Sequence, residues 1–335
     1  MNEIVLYGII ALILELLELL YFKVADLYNI IDKPNERSSH TLIVLRGGGV
    51  IFVFGVWIYA IVSGFHYPWF LFGLTLISLV SFIDDVHSLP DRYRLIIHFV
   101  SMLMIIYQFG ILQLDNWWII LLILILLTGV INAYNFMDGI NGITGGYSLA
   151  ILISLLIENH NNHFVDNQLL IIVSLSVCVF CLFNYRNKAK CFAGDVGSVS
   201  IAFVLLFATG LLVIKDGGAF YYLTFFVLYG VDTMLTICHR IMLHENLGEA
   251  HRKHAYQIMA NELHISHVKV STMYSVIQLL VSLGLIYSGI DPWAYFASTC
   301  IIFGIIYLLF MKKYYHLHEE YLSSICESKS MRSLK

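Results

Sequence analysis

From Trp117 to Tyr134 the chain reads Trp-Trp-Ile-Ile-Leu-Leu-Ile-Leu-Ile-Leu-Leu-Thr-Gly-Val-Ile-Asn-Ala-Tyr. Fourteen residues pass between Trp118 and Ala133 with only Thr128 and Asn132 polar and no charge. A helix of this length spans roughly 30 Å of hydrocarbon, so lipid is its natural solvent. Runs of the same kind lie at 4–22, 50–65, 69–83, 95–111, 143–157, 168–183, 199–214, 219–235, 270–287 and 292–311, and none holds Lys or Arg. The composition agrees: 59% of the 335 residues are hydrophobic, 13% are charged, and the mean hydropathy is +0.80. A soluble domain carries about 25% charged residues, so a soluble fold is excluded. The expected fold is all-α and polytopic, with about eleven membrane helices in one domain over 1–335. Glu3 ahead of the first run, with no basic stretch before it, reads as a retained span rather than a cleaved leader.

Charge sets the expected orientation. The segments 23–49, 84–94, 184–198, 236–269 and 312–335 hold 18 of the 19 basic residues, and the opposite loops hold only Lys215. Basic loops stay in the cytoplasm, which puts the N-terminus outside, the C-terminus inside, and the loop 236–269 and tail 312–335 on the cytoplasmic face. The net charge of -4 offers no field for nucleic acid. Of the six cysteines, the close pair Cys178 and Cys181 lies inside an apolar run and reads as small buried thiols, and the set suggests neither a disulfide framework nor a zinc site.

The same orientation gathers the acids at one face. Asp84 and Asp85 end the third span, Asp138 follows the fifth, Asp195 precedes the eighth, and Asp232 lies near the end of the ninth. Ionisable groups at membrane depth are costly and mark function. The stretch Asn132-Ala-Tyr-Asn135-Phe-Met-Asp138-Gly-Ile-Asn141-Gly142 repeats a polar side chain every third residue, on one face of a continuing helix. In Gly194-Asp195-Val-Gly-Ser198 a carboxylate starts a helix whose free amides attract anions. Mg²⁺ takes one or two carboxylates plus substrate phosphates, which separated Asp residues supply. The loop residues His251-Arg252-Lys253-His254 favour a di- or pyrophosphate over zinc, because Arg and Lys repel a cation. Arg37, His40 and Arg46 in the first cytoplasmic loop either guide an anionic head group or serve as positive-inside anchors. Glu15 and Glu18 stay unassigned. Acids for a cation, a glycine turn, a basic loop and apolar walls fit a lipid phosphate that attacks a soluble nucleotide diphosphate. Confinement of the ionisable groups to one face argues against a transporter, and the motif pattern against another lipid phosphotransferase.

At this point the chain resembles the polyprenyl-phosphate N-acetylhexosamine-1-phosphate transferases. Asp84-Asp85-Val-His-Ser-Leu89 is similar to that family's DDxxxL, Asn132–Gly142 to its NAxNxxDGxxG, Gly194–Ser198 to its GDxGS, and His251-Arg-Lys-His254 to its histidine loop. Arg37-Ser-Ser-His40, Arg46-Gly-Gly-Gly49 and the Tyr-Gln after the histidine loop resemble most the branch that starts O-antigen or capsular repeats. The resemblance implies transfer of a sugar-1-phosphate from a UDP-N-acetylhexosamine to undecaprenyl phosphate, with release of UMP, at the cytoplasmic face of a bacterial inner membrane. It implies Mg²⁺, with Mn²⁺ as a substitute, held by Asp195 with Asp84. Asp84, Asp85 and Asp138 would be catalytic, the first two near the lipid phosphate. Asn132, Asn135, Asn141, His251, Arg252, His254, Arg37, His40 and Arg46 would bind substrates, and a homodimer would be unsurprising. Two positions depart from the pattern: Asn141 stands where many relatives have Asp, and Ile143 where Leu is usual.

Overall fold

The computed structural model describes residues 3–33, 43–112, 117–248 and 251–333. Arg37 and His40 lie outside the described residues. The protein is an all-α bundle: α1 (Glu3–Leu27), α2 (Val50–Ser63), α3 (Pro68–Val86), α4 (Asp91–Gln108), α5 (Trp117–Met137), α6 (Ile143–Asn162), α7 (Asn167–Asn184), α8 (Gly194–Lys215), α9 (Val227–Met242), α10 (Ala255–Asn261), α11 (His267–Tyr287) and α12 (Pro292–Ser333). A 3-10 segment, Phe220–Phe226, leads into α9. A two-residue ribbon, β1 (Ile31–Asp32) and β2 (Val44–Leu45), is antiparallel, with Ile31 opposite Leu45.

Each of the eleven expected spans falls on a long helix, the ninth on the 3-10 segment and α9 together. Eight of these stretches are long and apolar enough to cross a membrane: α1, α3, α5, α7, α8, Phe220–Met242, α11 and Pro292–Ser323. The other three differ for readable reasons. Helix α2 has 14 residues, about 21 Å at 1.5 Å per residue. Helix α4 carries Asp91, Arg92 and Arg94 in its first turn, and α6 ends in Glu-Asn-His-Asn-Asn.

Helix α8 is the axis: 78% of its most apolar stretch is buried, against 22% for α1 and 17% for α12. It packs on α3, α5, α2 and α6, while α11 lies along α6 and α7 along α2. Phe70, Phe203, Phe207 and Phe109 stack through this centre, with Phe70 and Phe207 centroids 4.0 Å apart. The outer helices keep apolar side chains turned outward, among them Leu12, Leu122 and Ile301, all about 60% exposed. That is the surface lipid covers. The first turn of the axial helix is where the acids of the sequence converge.

Candidate active site

The entry to α8 is built by two strips of backbone lying side by side. Phe192 N–H donates to Leu45 O (2.8 Å), Gly48 N–H to Phe192 O (2.9 Å) and Gly49 N–H to Ala193 O (3.1 Å). Gly49 and Gly197 touch backbone to backbone, so a Cβ on either would collide. Gly194 has φ +71°, and a Cβ there would sit 2.5 Å from Asp85 Oδ2. Positive φ and close approach together require glycine. This packing lets Asp85 accept the Asp195 N–H (2.9 Å) and Val196 N–H (3.0 Å). Arg46 Nε lies 2.7 Å from the same carboxylate, whose side chain is fully buried. The free amides at this helix start are thus occupied by the protein's own Asp85, not left open for a substrate anion as the sequence alone led us to expect.

Asp84 and Asp195 are joined through arginine. Asp84 accepts the Leu89 N–H (2.6 Å) and Arg94 Nη1 (2.6 Å). The same Arg94 nitrogen lies 3.2 Å from Asp195 Oδ2, and Arg46 Nη2 lies 3.3 Å from Asp195 Oδ1. Two guanidinium groups therefore face three carboxylates (Asp84, Asp85, Asp195), one positive charge short of neutralising them when all three are ionised. The donor set fits Mg²⁺ only in a particular way. Among the described residues no three His, Cys, Asp or Glu form a cage. An ion that prefers phosphate and water with one or two carboxylates fits Asp195 with Asp84, where the Arg94 nitrogen now marks a cation's place.

Helix α5 stops at Met137, and that break sorts the Asn/Asp repeat into two groups. Asn132, Asn135 and Asp138 line a cavity of about 580 Å³, together with Asp195. Asn135 Oδ1 accepts the Ser198 hydroxyl (2.9 Å), and Asp138 Oδ1 accepts that of Thr144 (2.6 Å). Burial, helped by the charges of Asp195 and Asp85, pushes the Asp138 carboxyl up to about 7. Asn141 belongs elsewhere: its amide donates to Arg186 O (2.9 Å) and Asn187 O (3.2 Å), away from that cavity. An Asp there would set a carboxylate against two carbonyl oxygens.

The histidine loop closes the cavity, though its charges do different work from its rings. His251 and His254 line it, with Arg240, Tyr256 and Gln257. Arg252 instead pairs with Glu262 at 3.0 Å and stacks 4.1 Å from the Tyr321 ring centroid. Lys253 pairs with Glu245, which also lies 3.1 Å from Arg240. His254 Nδ1 lies 3.1 Å from Asp232 Oδ1, and Asp232 also accepts the Tyr274 hydroxyl (2.8 Å). Burial, then the neighbouring His254, Arg240 and Lys253, lowers His251 to about 3, so its ring is neutral near pH 7. Arg92, Arg94 and His98 line the opposite wall. These three were missed in the sequence, although Arg94 and His98 stand four apart on the helix that follows Asp84-Asp85.

Against known proteins, the profile of glycosyl transferase family 4 matches residues 67–213, which contain every acid of the Asp84/Asp85/Asp138/Asp195 group. A Bacillus subtilis (strain 168) protein described as "Probable undecaprenyl-phosphate N-acetylglucosaminyl 1-phosphate transferase" is 23% identical, over 76% of this chain and 78% of its own. Residues 67–213 of the chain are thus similar to glycosyl transferase family 4. The phospho-N-acetylmuramoyl-pentapeptide-transferase of Thermotoga neapolitana is 25% identical over 70% of this chain and 82% of its own. The undecaprenyl-phosphate alpha-N-acetylglucosaminyl 1-phosphate transferase of Escherichia coli (strain K12) is 29% identical over 55% of each.

Proposed function

We propose that this protein transfers an N-acetylhexosamine-1-phosphate from a UDP-sugar to undecaprenyl phosphate, releasing UMP, at the cytoplasmic face of a bacterial inner membrane. The relatives' activities support the reaction class. The observation that carries it here is the cavity itself, which Asp138 and Asp195 line together with Arg92, Arg94, Arg240 and three histidine rings. That mixture suits a diphosphate, whose oxygens accept from arginine and imidazole.

In this reaction an oxygen of the lipid phosphate attacks the phosphorus that carries the sugar. The anhydride bond to UMP breaks, and its electron pair leaves on UMP. The second pKa of a phosphomonoester is about 6, so the acceptor is already mostly a dianion at neutral pH. Arg94 and Arg46 lower the repulsion between that dianion and the diphosphate. Asp138, held near neutrality, takes up or holds a proton on the reacting phosphates. Asp85, saturated by Arg46 and two amides, fixes the turn that carries Asp195. Mg²⁺ held by Asp195 and Asp84 would offset charge as the anhydride bond breaks. The Asp232–His254 pair fixes the ring so that Nε2, buried and without a partner among the described residues, is available to the nucleotide sugar.

The test is UMP release by purified protein with undecaprenyl phosphate, Mg²⁺ and a panel of UDP-N-acetylhexosamines. Release that needs both lipid and metal, and favours one sugar, is the expected result. No release with any sugar from folded protein would overturn the reading. Entry into O-antigen, capsule or another envelope polysaccharide is part of the same proposal, and the favoured sugar would separate those routes.

A further inference from the structure

Helix α12 is far longer than a membrane crossing needs. Its 42 residues extend about 63 Å at 1.5 Å per residue, against about 30 Å of hydrocarbon. The apolar run ends at Met311, and Lys312-Lys313 follow, so the second half of the helix stands clear of the lipid. One face of it is nonetheless engaged. Tyr307, Met311, Tyr315, His318 and Tyr321 follow one another at intervals of four, four, three and three residues, which keeps them on one side of a helix. Tyr307 shares a hydrogen bond with Thr236 of α9 (2.8 Å), and Met311 packs with Ala255 and Ile258 of α10. Beyond the lipid, the Tyr315 ring lies edge-on to His239, with centroids 4.5 Å apart. His318 Nδ1 lies 3.0 Å from Glu262 Oε1, the oxygen that also faces Arg252. The His318 and Glu262 side chains are only 1% and 4% exposed. Rings of the same face cover both cations of the histidine loop: Tyr321 lies over Arg252, and Tyr315 lies 5.9 Å from Lys253 Nζ. The loop is thereby divided, with His251 and His254 in the wall of the polar cavity and Arg252 and Lys253 turned to α12.

From this arrangement we infer that Glu262 and His318 are positioning residues, through which the extramembrane half of α12 clamps the histidine loop from behind and sets where His251 and His254 meet the nucleotide sugar. The identity of the ligand rests on the transferase reading; the clamp rests on the contacts alone. A loop loses conformational entropy when it is ordered, and the clamp offsets that cost before a substrate arrives, so the two rings are held ready. Glu262 is the joint. A carboxylate this buried needs its donors, and it takes one from the loop, Arg252, and one from the helix, His318. Removing His318 leaves Glu262 and Arg252 paired with each other but cuts their tie to α12.

Two readouts on the full-length protein in detergent test this. Trypsin cuts after Arg and Lys, and the Arg252 and Lys253 side chains are shielded, 11% and 9% exposed. His318→Ala should speed cleavage after these two residues by roughly tenfold, because the loop opens more often. His318→Asn, which keeps a donor near the place of Nδ1, should restore protection, and His316→Ala, on the exposed side of the helix, should change nothing. Tyr321→Ala, at a half-buried position, should act as His318→Ala does in smaller measure, and it carries the test if His318→Ala does not fold. The second readout is kinetic. His318→Ala should raise KM for the UDP-sugar about tenfold while kcat and KM for undecaprenyl phosphate stay unchanged, and His318→Asn should bring that KM back. Cleavage as slow as in wild type, in both His318→Ala and Tyr321→Ala, overturns the clamp. Faster cleavage with an unchanged KM, or with kcat and both KM values damaged alike, overturns the positioning role. If the wild type transfers nothing from any UDP-sugar, the transferase reading falls, and the trypsin result still decides the clamp.

Discussion

At the scale of single residues, the decisive fact is how few charges hold how many. Arg46 and Arg94 together contact Asp84, Asp85 and Asp195, and Asp195 alone touches both, so removing its carboxylate changes the partners of two arginines. Asp195→Asn should keep the protein folded and in the membrane yet lower UMP release by roughly 100-fold, with no rescue at high Mg²⁺. Activity retained at the wild-type level would remove Asp195 from the metal assignment. Asp138 makes a different prediction. Its pKa in the fold, about 7, lies above the ordinary 3.8, so folding takes up a proton between those values. The protonated group favours the fold at the acid end, and that contribution is lost as pH rises through about 7. The thermal stability of Mg²⁺-free protein in detergent should therefore fall from pH 5 to 8, with a shallower slope in Asp138→Asn. Asn141→Asp should cost about 1–3 kcal/mol because a carboxylate would then face the Arg186 and Asn187 carbonyls. A melt equal to that of wild type would refute this account. None of these partners was legible in the sequence. Spacing put Asn132, Asn135 and Asp138 on one face correctly, but the break after Met137 sends Asn141 to a different neighbour, and only tertiary contacts record that.

At the scale of elements, the site depends on the approach of two helix starts. Gly49, just before α2, and Gly197, in the first turn of α8, meet at their backbones, so the Arg46 loop and the Asp195 turn lie within salt-bridge reach. The sequence showed both glycine runs, and it showed the acid between glycines at a helix start. It gave no sign that the two runs pair, because their separation of about 150 residues is bridged only by the β2–Cys191 contact and the carbonyls of Phe192 and Ala193. The histidine loop was legible in its rings and not in its charges. Arg252 and Lys253 are drawn to Glu262 and Glu245, acids that the motif itself does not contain. From the helix contact we expect Gly197→Ala to destabilise the protein by about 1–3 kcal/mol and to lower activity more than a loss of stability alone explains, since a Cβ there pushes Gly49 and with it Arg46. Retention of both wild-type melting and wild-type kcat would show that the two helix starts have room to spare.

At the scale of the molecule, the eleven apolar runs were legible because in a bilayer every backbone group must be satisfied within its own helix, and length and hydropathy then mark the spans directly. Their depth was less legible. Helix α2 is too short to cross alone, and α4 begins in a charged turn that belongs to the active site. The acids of α3 and α8, the end of α5 and the histidine loop all gather at one end of the bundle around the same cavity, so one orientation decides where every substrate must arrive. The bias of 18 basic residues to one set of loops predicts that this end faces the cytoplasm, where UDP-sugars are made. The check is a pair of topology reporters. A fusion after Lys335 should be active only as a cytoplasmic reporter, and an insertion at Gly217, between α8 and the 3-10 segment, only as an exported one. Eleven crossings with the acids inside require that opposite pair of results. The same side for both would mean that an even number of crossings separates Gly217 from the C-terminus. A cytoplasmic insertion with an exported C-terminus would turn the cavity outward, away from the nucleotide sugar that the proposed reaction needs.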